Sequence, residues 1–177
     1  MYHMYTLVRV AVTETIVARG IPSTRALLFL KEHGVAFDVH QYEYRGPGHV
    51  AQTAAAAIGA PPEAVIKTVV FMVDGDPVLA LMDAAGRVSV SRLAAALGSK
   101  SRAAECQPDD AERFTGYQVG GISPFGTRRR MPVVLDELLT LLPRVFINGG
   151  SRGLIVSLDT EDLIKVLDAV VANIRTD

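Results

Sequence analysis

The segment 115–130, TGYQVGGISPFGTRRR, packs four glycines, one proline and three arginines into sixteen residues. Glycine pairs followed by proline suit neither a helix nor a central strand. They suit a loop whose bare backbone N–H groups can approach a ligand closely. In GGISP (Gly120, Gly121, Ile122, Ser123, Pro124) such donors could meet an ester carbonyl as it becomes an oxyanion. A tight turn between strands is the plainer reading of the same residues. Arg128, Arg129 and Arg130 make either a solvated turn or a grip on phosphates. Backbone donors beside a cationic run fit a substrate with a carbonyl at one end and phosphodiesters at the other, as in an aminoacyl-tRNA.

Lys67 interrupts the apolar run AVIKTVV at 64–70. An ammonium is costly to bury unpaired, so Lys67 either faces solvent or reaches into a cleft to bind a carbonyl, ribose or phosphate oxygen. A second glycine cluster, NGGSRG at 148–153, could by itself be a bulged hairpin, but two such loops can flank one pocket. His3, His33, His40 and His49 have no metal-ligand spacing, and His40 alternates with its neighbours as a surface or edge residue would. Cys106 reads as a packed thiol. No Ser-His-Asp set, GxSxG or P-loop is present. Hydrolysis here would proceed without a visible protein nucleophile, and neither metal nor cofactor is expected.

The elements that must hold these residues follow from pattern. Ser23 or Thr24 can cap a helix with Leu27, Leu28 and Leu30 on one face and Gly34 as its stop. Residues 35–44 alternate as a half-buried strand. An alanine-rich helix at 51–58 precedes two β-branched strands, 65–73 and 78–82, joined by the hairpin signal Asp74-Gly75-Asp76. A helix runs from Ser89 or Ser91 to Leu97, another from Pro108 to Phe114. Strands follow at 132–135, 145–148 and 154–158, with a short helix at 136–142 between the first two. A last amphipathic helix is expected from Thr160 to about Ile174, with Leu163, Val166, Leu167, Val170 and Val171 inward. Strand pairs interrupted by helices give an α/β (α+β) domain around a mixed sheet.

The 177 residues fit one domain, and 49% apolar residues provide a substantial core. A net charge of −1 excludes a dedicated, strongly basic nucleic-acid binder but allows a local basic patch. The single cysteine excludes an internal disulfide, which makes a reducing, cytoplasmic setting the default. No apolar stretch is long enough to span a membrane. Residues 1–22 lack the features of a signal peptide and read as an extension, a short strand or helix, ahead of a domain at 23–177.

Taken in order, HQYEY (40–44), IKTVVF (66–71), VSRLAAALG (90–98), TGYQVGGISPFG (115–126) and NGGSRGL (148–154) resemble the YbaK-type Cys-tRNA(Pro) deacylases, relatives of the editing domain of bacterial prolyl-tRNA synthetases. The resemblance runs from about Ser23 to Ile174. It implies a partly barrel-like mixed sheet of six to seven strands surrounded by helices. It implies trans-editing, the hydrolysis of mischarged tRNA, typically Cys-tRNA(Pro), with prolyl-tRNA synthetase as a candidate partner. Lys67 and Gly120 then hold the catalytic positions. Tyr42, Val50, Gly121, Ile122, Ser123, Pro124, Asn148, Gly149, Gly150 and Ile155 are expected at the substrate, and Arg128, Arg129, Arg130 and Arg152 at nucleic acid. The mechanism implied is substrate-assisted: the bound cysteine thiol attacks its own ester carbonyl and leaves as a thiolactone. Ile155 stands where the best-known members carry an aspartate, and Asn148 where they carry a small hydroxyl residue. Alanine or another small amino acid therefore stays open as the acyl group, and so does a binding module without turnover.

Overall fold

The computed structural model of the protein describes residues 7–10 and 20–177. Nine strands among the described residues form one mixed sheet: β1 (Leu7–Val10), β2 (Phe37–Gln41), β3 (Val65–Val73), β4 (Asp76–Asp83), β5 (Ala104–Glu105), β6 (Val133–Asp136), β7 (Arg144–Asn148), β8 (Leu154–Asp159) and β9 (Val170–Ala172). They lie in the order β1-β2-β8-β7-β3-β4-β6-β9, with β5 paired to β3. Helices α1 (Arg25–Glu32), α2 (Val50–Ile58), α3 (Val90–Ala96), α4 (Pro108–Thr115) and α5 (Thr160–Leu167) surround it, with 3-10 turns at Pro62–Ala64 and Glu137–Leu141.

The β3–β4 hairpin is the centre. Asp74 and Gly75 both take positive φ, 52° and 87°, the geometry a two-residue hairpin turn needs. Side chains alternate across the pleat. Ile66, Val70, Leu79 and Leu81 join Leu27, Leu30 and Leu163 in one core cluster. Phe71, Val73, Val78, Ala80 and Met82 join Leu93 and Ala94 of α3 in the other. Buried on both faces, β4 is almost continuously apolar for that reason.

The sheet has nine strands rather than the expected six to seven because three short strands carry too little alternation to show in sequence. β1 falls in the segment expected as an extension, where Leu7 pairs His40 and Val10 pairs Phe37. Residues 1–6 and 11–19 of that segment lie outside the described residues, and Ile21 at its end is buried in the core. The expected final helix is also shorter. It ends at Leu167, where Asp168 turns left-handed (φ 49°), and the chain returns as β9 beside β6. Val170 and Val171, expected to face inward, are 41% exposed. Their β branches favour the strand in spite of helical spacing. Among the described residues no helix is long and apolar enough to cross a membrane.

Thr24 fastens α1 to the sheet. Its hydroxyl accepts from Leu27 N (3.2 Å), capping the helix, and donates to the Gly149 carbonyl oxygen (2.5 Å) in the second glycine loop. Thr24→Ala loses both bonds. It is expected to lower unfolding free energy by about 1–2 kcal/mol, measured by urea denaturation.

Candidate active site

The outer edge of β3 is paired in two separate places. β7 takes Val65 and Ile66 in parallel, and β5 takes Phe71 and Met72 antiparallel. Between them the strands diverge, and a cleft of about 250 Å³ opens along 67–70. The Val70 carbonyl oxygen accepts from Cys106 N (2.9 Å) at the far end of this opening. Strand hydrogen-bonding directions alternate, so the backbone N–H and C=O of Thr68 face the same edge and open into the cleft. Thr68 lines the cleft, and its hydroxyl is buried without a hydrogen-bond partner.

Lys67 lies on the β3 face shared with Val65 and Val69 and is half-buried at the cleft wall. Its ammonium donates to the Gly86 carbonyl oxygen (2.5 Å). Burial is the main influence that holds its pKa below that of an ordinary lysine; Arg175 and Arg87 add to this, while Asp83 and Glu105 oppose it. Among the described residues, Lys67 is the only cation of the lining and Glu105 the only carboxylate.

The two glycine loops meet across the cleft. Gly120 (φ 89°) lies under Tyr44, where a Cβ would come within 2.7 Å of the hydroxyl. A Cβ on Gly121 would stand 2.9 Å from Arg152 N, so this close packing of loop on loop needs glycine. Asn148 stitches them together: its amide donates to the Gly120 (3.3 Å) and Ser151 (3.2 Å) carbonyl oxygens, and its oxygen accepts from Gly150 N (2.7 Å). Arg152 adds a bond from Nε to the Val119 carbonyl oxygen (3.0 Å) and lies over the Tyr44 ring. Tyr117 donates to the Phe125 carbonyl oxygen (2.5 Å), and burial pushes its pKa up to about 12, so it remains a donor at any ordinary pH. The Gly121 amide is spent on the Gln118 carbonyl oxygen (2.8 Å). The amides of Gly120 and Ile122 have no acceptor among the described residues.

The model of the aminoacyl-tRNA editing domain family matches residues 46–166, most of the chain. The chain belongs to that family. It is 25% identical over 154 residues to the Enterococcus faecalis protein named "Putative Cys-tRNA(Pro)/Cys-tRNA(Cys) deacylase EbsC", covering 86% of this chain and 93% of that one. It is 33% identical over 94 residues to a proline–tRNA ligase of Nitratidesulfovibrio vulgaris, 52% of this chain and 16% of the ligase. A solved structure described as a "putative trans-editing enzyme for prolyl tRNA synthetase" superposes with a TM-score of 0.74 at 24% identity, covering 86% of this chain and 96% of that one. The fold is thus the one the sequence resemblance implied.

Tyr42, Val50, Lys67, Gly120, Ile122, Asn148 and Ile155 line this cleft together. Burial holds the Tyr42 phenol above the ordinary tyrosine pKa. Gly121, Gly149 and Gly150 lie behind it as packing. Ser123 and Pro124 are buried beneath the loop, where the Ser123 hydroxyl accepts from Phe125 N (3.3 Å). Arg128, Arg129 and Arg130 are exposed and outside the lining; Arg129 pairs with Asp76 (2.9 Å). Arg152 is exposed and braces the loop. Thr68, Glu105 and Cys106 line the cleft without having been marked in the sequence as site residues. Their signal is weak, because β5 is too short to show a period. Cys106 is half-buried rather than fully packed, and burial first, then Asp110, raises its pKa, which keeps the thiol protonated. His40 is likewise half-buried, bonded through Nε2 to the Ser157 hydroxyl (2.9 Å), and is not part of the lining although it pairs with Ile155.

Asn148→Ala removes the stitch and leaves the Gly150 N–H and the Gly120 carbonyl without a partner, and the Ser151 carbonyl with Leu154 N alone. A loss of about 1–3 kcal/mol in stability is expected. Amide hydrogen exchange at Gly150 should accelerate, while that of β4 stays slow.

Proposed function

We propose that the protein is a trans-editing deacylase that hydrolyses mischarged aminoacyl-tRNA, with Cys-tRNA(Pro) as substrate. The observation that carries this reading is a cleft with one ammonium, two unspent loop amides and, among the described residues, no activated protein nucleophile. The 3′-terminal adenosine enters with its aminoacyl ester toward Gly120. The amides of Gly120 and Ile122 receive the developing oxyanion, a type of contact that strengthens only in the transition state. The Lys67 ammonium fixes the terminal ribose or the acyl carbonyl. Glu105 gives the α-ammonium of the substrate a carboxylate partner.

With cysteine bound, its thiol loses a proton and the sulfur attacks the ester carbonyl carbon. The C–O bond breaks, the 3′ oxygen takes a proton, and a thiolactone leaves for water to open. Correct orientation alone can contribute several kcal/mol to such an intramolecular step. The second reading, alanine removed by water, is favoured by one observation. Ile155, buried with Tyr42 and Ala54, makes the wall apolar, which suits the methyl side chain of alanine.

A panel of Cys-, Ala- and Ser-tRNA(Pro) incubated with pure protein tests both. Cys-tRNA is expected to be deacylated fastest; equal rates for cysteine and alanine would remove the thiol from the mechanism. Lys67→Ala should lower kcat/KM by at least about a hundredfold without altering the circular dichroism spectrum. Lys67 acts as an ammonium, so kcat should fall as pH rises through a pKa below the usual lysine range.

The exposed arginines meet the tRNA backbone away from the chemistry. Replacing Arg128, Arg129 and Arg130 with serine should raise KM, leave kcat unchanged and reduce the salt slope, by about 0.7–0.9 for each phosphate that is no longer neutralised. The editing reaction fits the cytoplasm, with prolyl-tRNA synthetase as the partner that presents the tRNA. Co-migration of the three components in gel filtration at low salt is the expected result.

A further inference from the structure

The acceptor that holds Lys67, the Gly86 carbonyl oxygen, belongs to a turn that the end of the chain clamps. Asp83, the last residue of β4, accepts through Oδ1 from Ala85 N (3.0 Å) and Gly86 N (2.8 Å). Its Oδ2 takes the guanidinium of Arg175, which also reaches Asp136 Oδ2 (2.9 Å). Asp83 is 6% exposed and Asp136 fully buried. A Cβ on Gly86 would come within 2.6 Å of Met82 Sδ and 2.7 Å of the Arg175 guanidinium, so the guanidinium is pressed against the turn itself. Backbone bonds run alongside, from Ser89 N to the Ile174 carbonyl oxygen (2.7 Å) and from Thr176 N to that of Arg87 (2.9 Å). Arg92 donates to the Arg175 carbonyl oxygen (2.5 Å).

We propose that Arg175 is a positioning residue for Lys67: by bridging Asp83 and Asp136 it fixes the Asp83–Gly86 turn, whose Gly86 carbonyl holds the Lys67 ammonium at the cleft wall. This rests on the reading of Lys67 as the group that grips substrate. The bridge also sets the charge that Lys67 meets. Asp83 and Glu105 favour the ammonium; Arg175, Arg87 and, most of all, burial disfavour it. Removing Arg175 and removing the Asp83 charge should therefore move Lys67 in opposite directions. A merely loosened turn would hydrate Lys67 in both variants and move both upward.

Two readouts on the full chain test this. The first needs no turnover: the rate at which acetic anhydride acetylates Lys67 as pH is varied, read by mass spectrometry. The second is single- and multiple-turnover deacylation of Cys-tRNA(Pro). Asp83→Asn keeps the turn's acceptor and should shift the Lys67 titration to lower pH. Arg175→Gln should shift it to higher pH and lower kcat by roughly ten- to a hundredfold with KM little changed, the cost of a displaced contact. Arg175→Lys should recover most of that loss.

If Arg175→Gln does not fold with Asp136 left uncompensated, Asp83→Asn/Asp136→Asn/Arg175→Gln removes the three charges together. That protein should fold and still show the lower kcat. Titrations that move in the same direction, or a folded variant with wild-type kcat, overturn the proposal. Opposed titrations with every mischarged tRNA left intact by the wild type would keep the positioning role and sink the deacylase reading instead.

Discussion

The interrupted edge of β3 is the constraint on which the site depends. A strand in the middle of a sheet normally spends its backbone groups on two neighbours. Here β7 leaves after Ile66 and β5 arrives only at Phe71. The stretch between them sits at the heart of the molecule, yet on one side no strand pairs it, and only the Val70 carbonyl at its end finds a backbone donor, Cys106 N. It is rigid because β4 pairs it from Ile66 through Val73. It is polar because Thr68 offers its backbone groups there. A pocket made this way needs no mobile lid to be precise, since its floor is a central strand.

The glycine loops close the opening from the other side, and their sequence follows from how near they come. Gly121 against Arg152 and Gly150 under Tyr117 leave no room for a side chain. Asn148 replaces what a strand would have supplied: two donors and one acceptor within one side chain, aimed at three backbone groups of two loops. On the proposed reading, the chemistry falls to amides rather than to a side-chain base. Such donors are fixed before substrate arrives, and little reorganisation is needed as charge develops on the carbonyl oxygen.

Much of this is legible in the sequence, and the limits have physical causes. The β3–β4 hairpin is plain because β-branched runs flank Asp-Gly, and Lys67 stands out as a charge inside an apolar strand. The glycine loops are visible as loops, yet their composition does not tell cleft residues from packing. Gly120 and Ile122 face the cleft, whereas Ser123 lies below, a difference set by the turn of the backbone and not by residue type. The short strands β5 and β9 carry no period, so Glu105 gives no signal and helical spacing runs on across Asp168, where the chain turns. Thr68 reads as one more β-branched strand residue until the gap between β7 and β5 exposes its edge. Pairing over long separations, such as Arg175 with Asp83, leaves no local pattern.

That last pairing bears on why the fold tolerates a half-buried lysine. Desolvating an ammonium favours its neutral form unless carboxylates stand close enough to oppose this. Around Lys67 the chain sets Arg87 and Arg175 with Asp83 and Glu105, and Asp136 pairs with Arg175 in turn, so that cations and anions balance. The balance is imperfect in hydrogen bonds, since Asp136 Oδ1 and Arg175 Nε are buried without partners. Buried ion pairs of this kind contribute little net stability and can cost some relative to an apolar filling. What they supply is direction. A hydrophobic cluster at the same place would hold the segment after β9 against β4 and β6 equally well, but it would leave the Gly86 carbonyl free to turn. With the carbonyl fixed, the ammonium has one place to rest, and that place is the wall of the cleft.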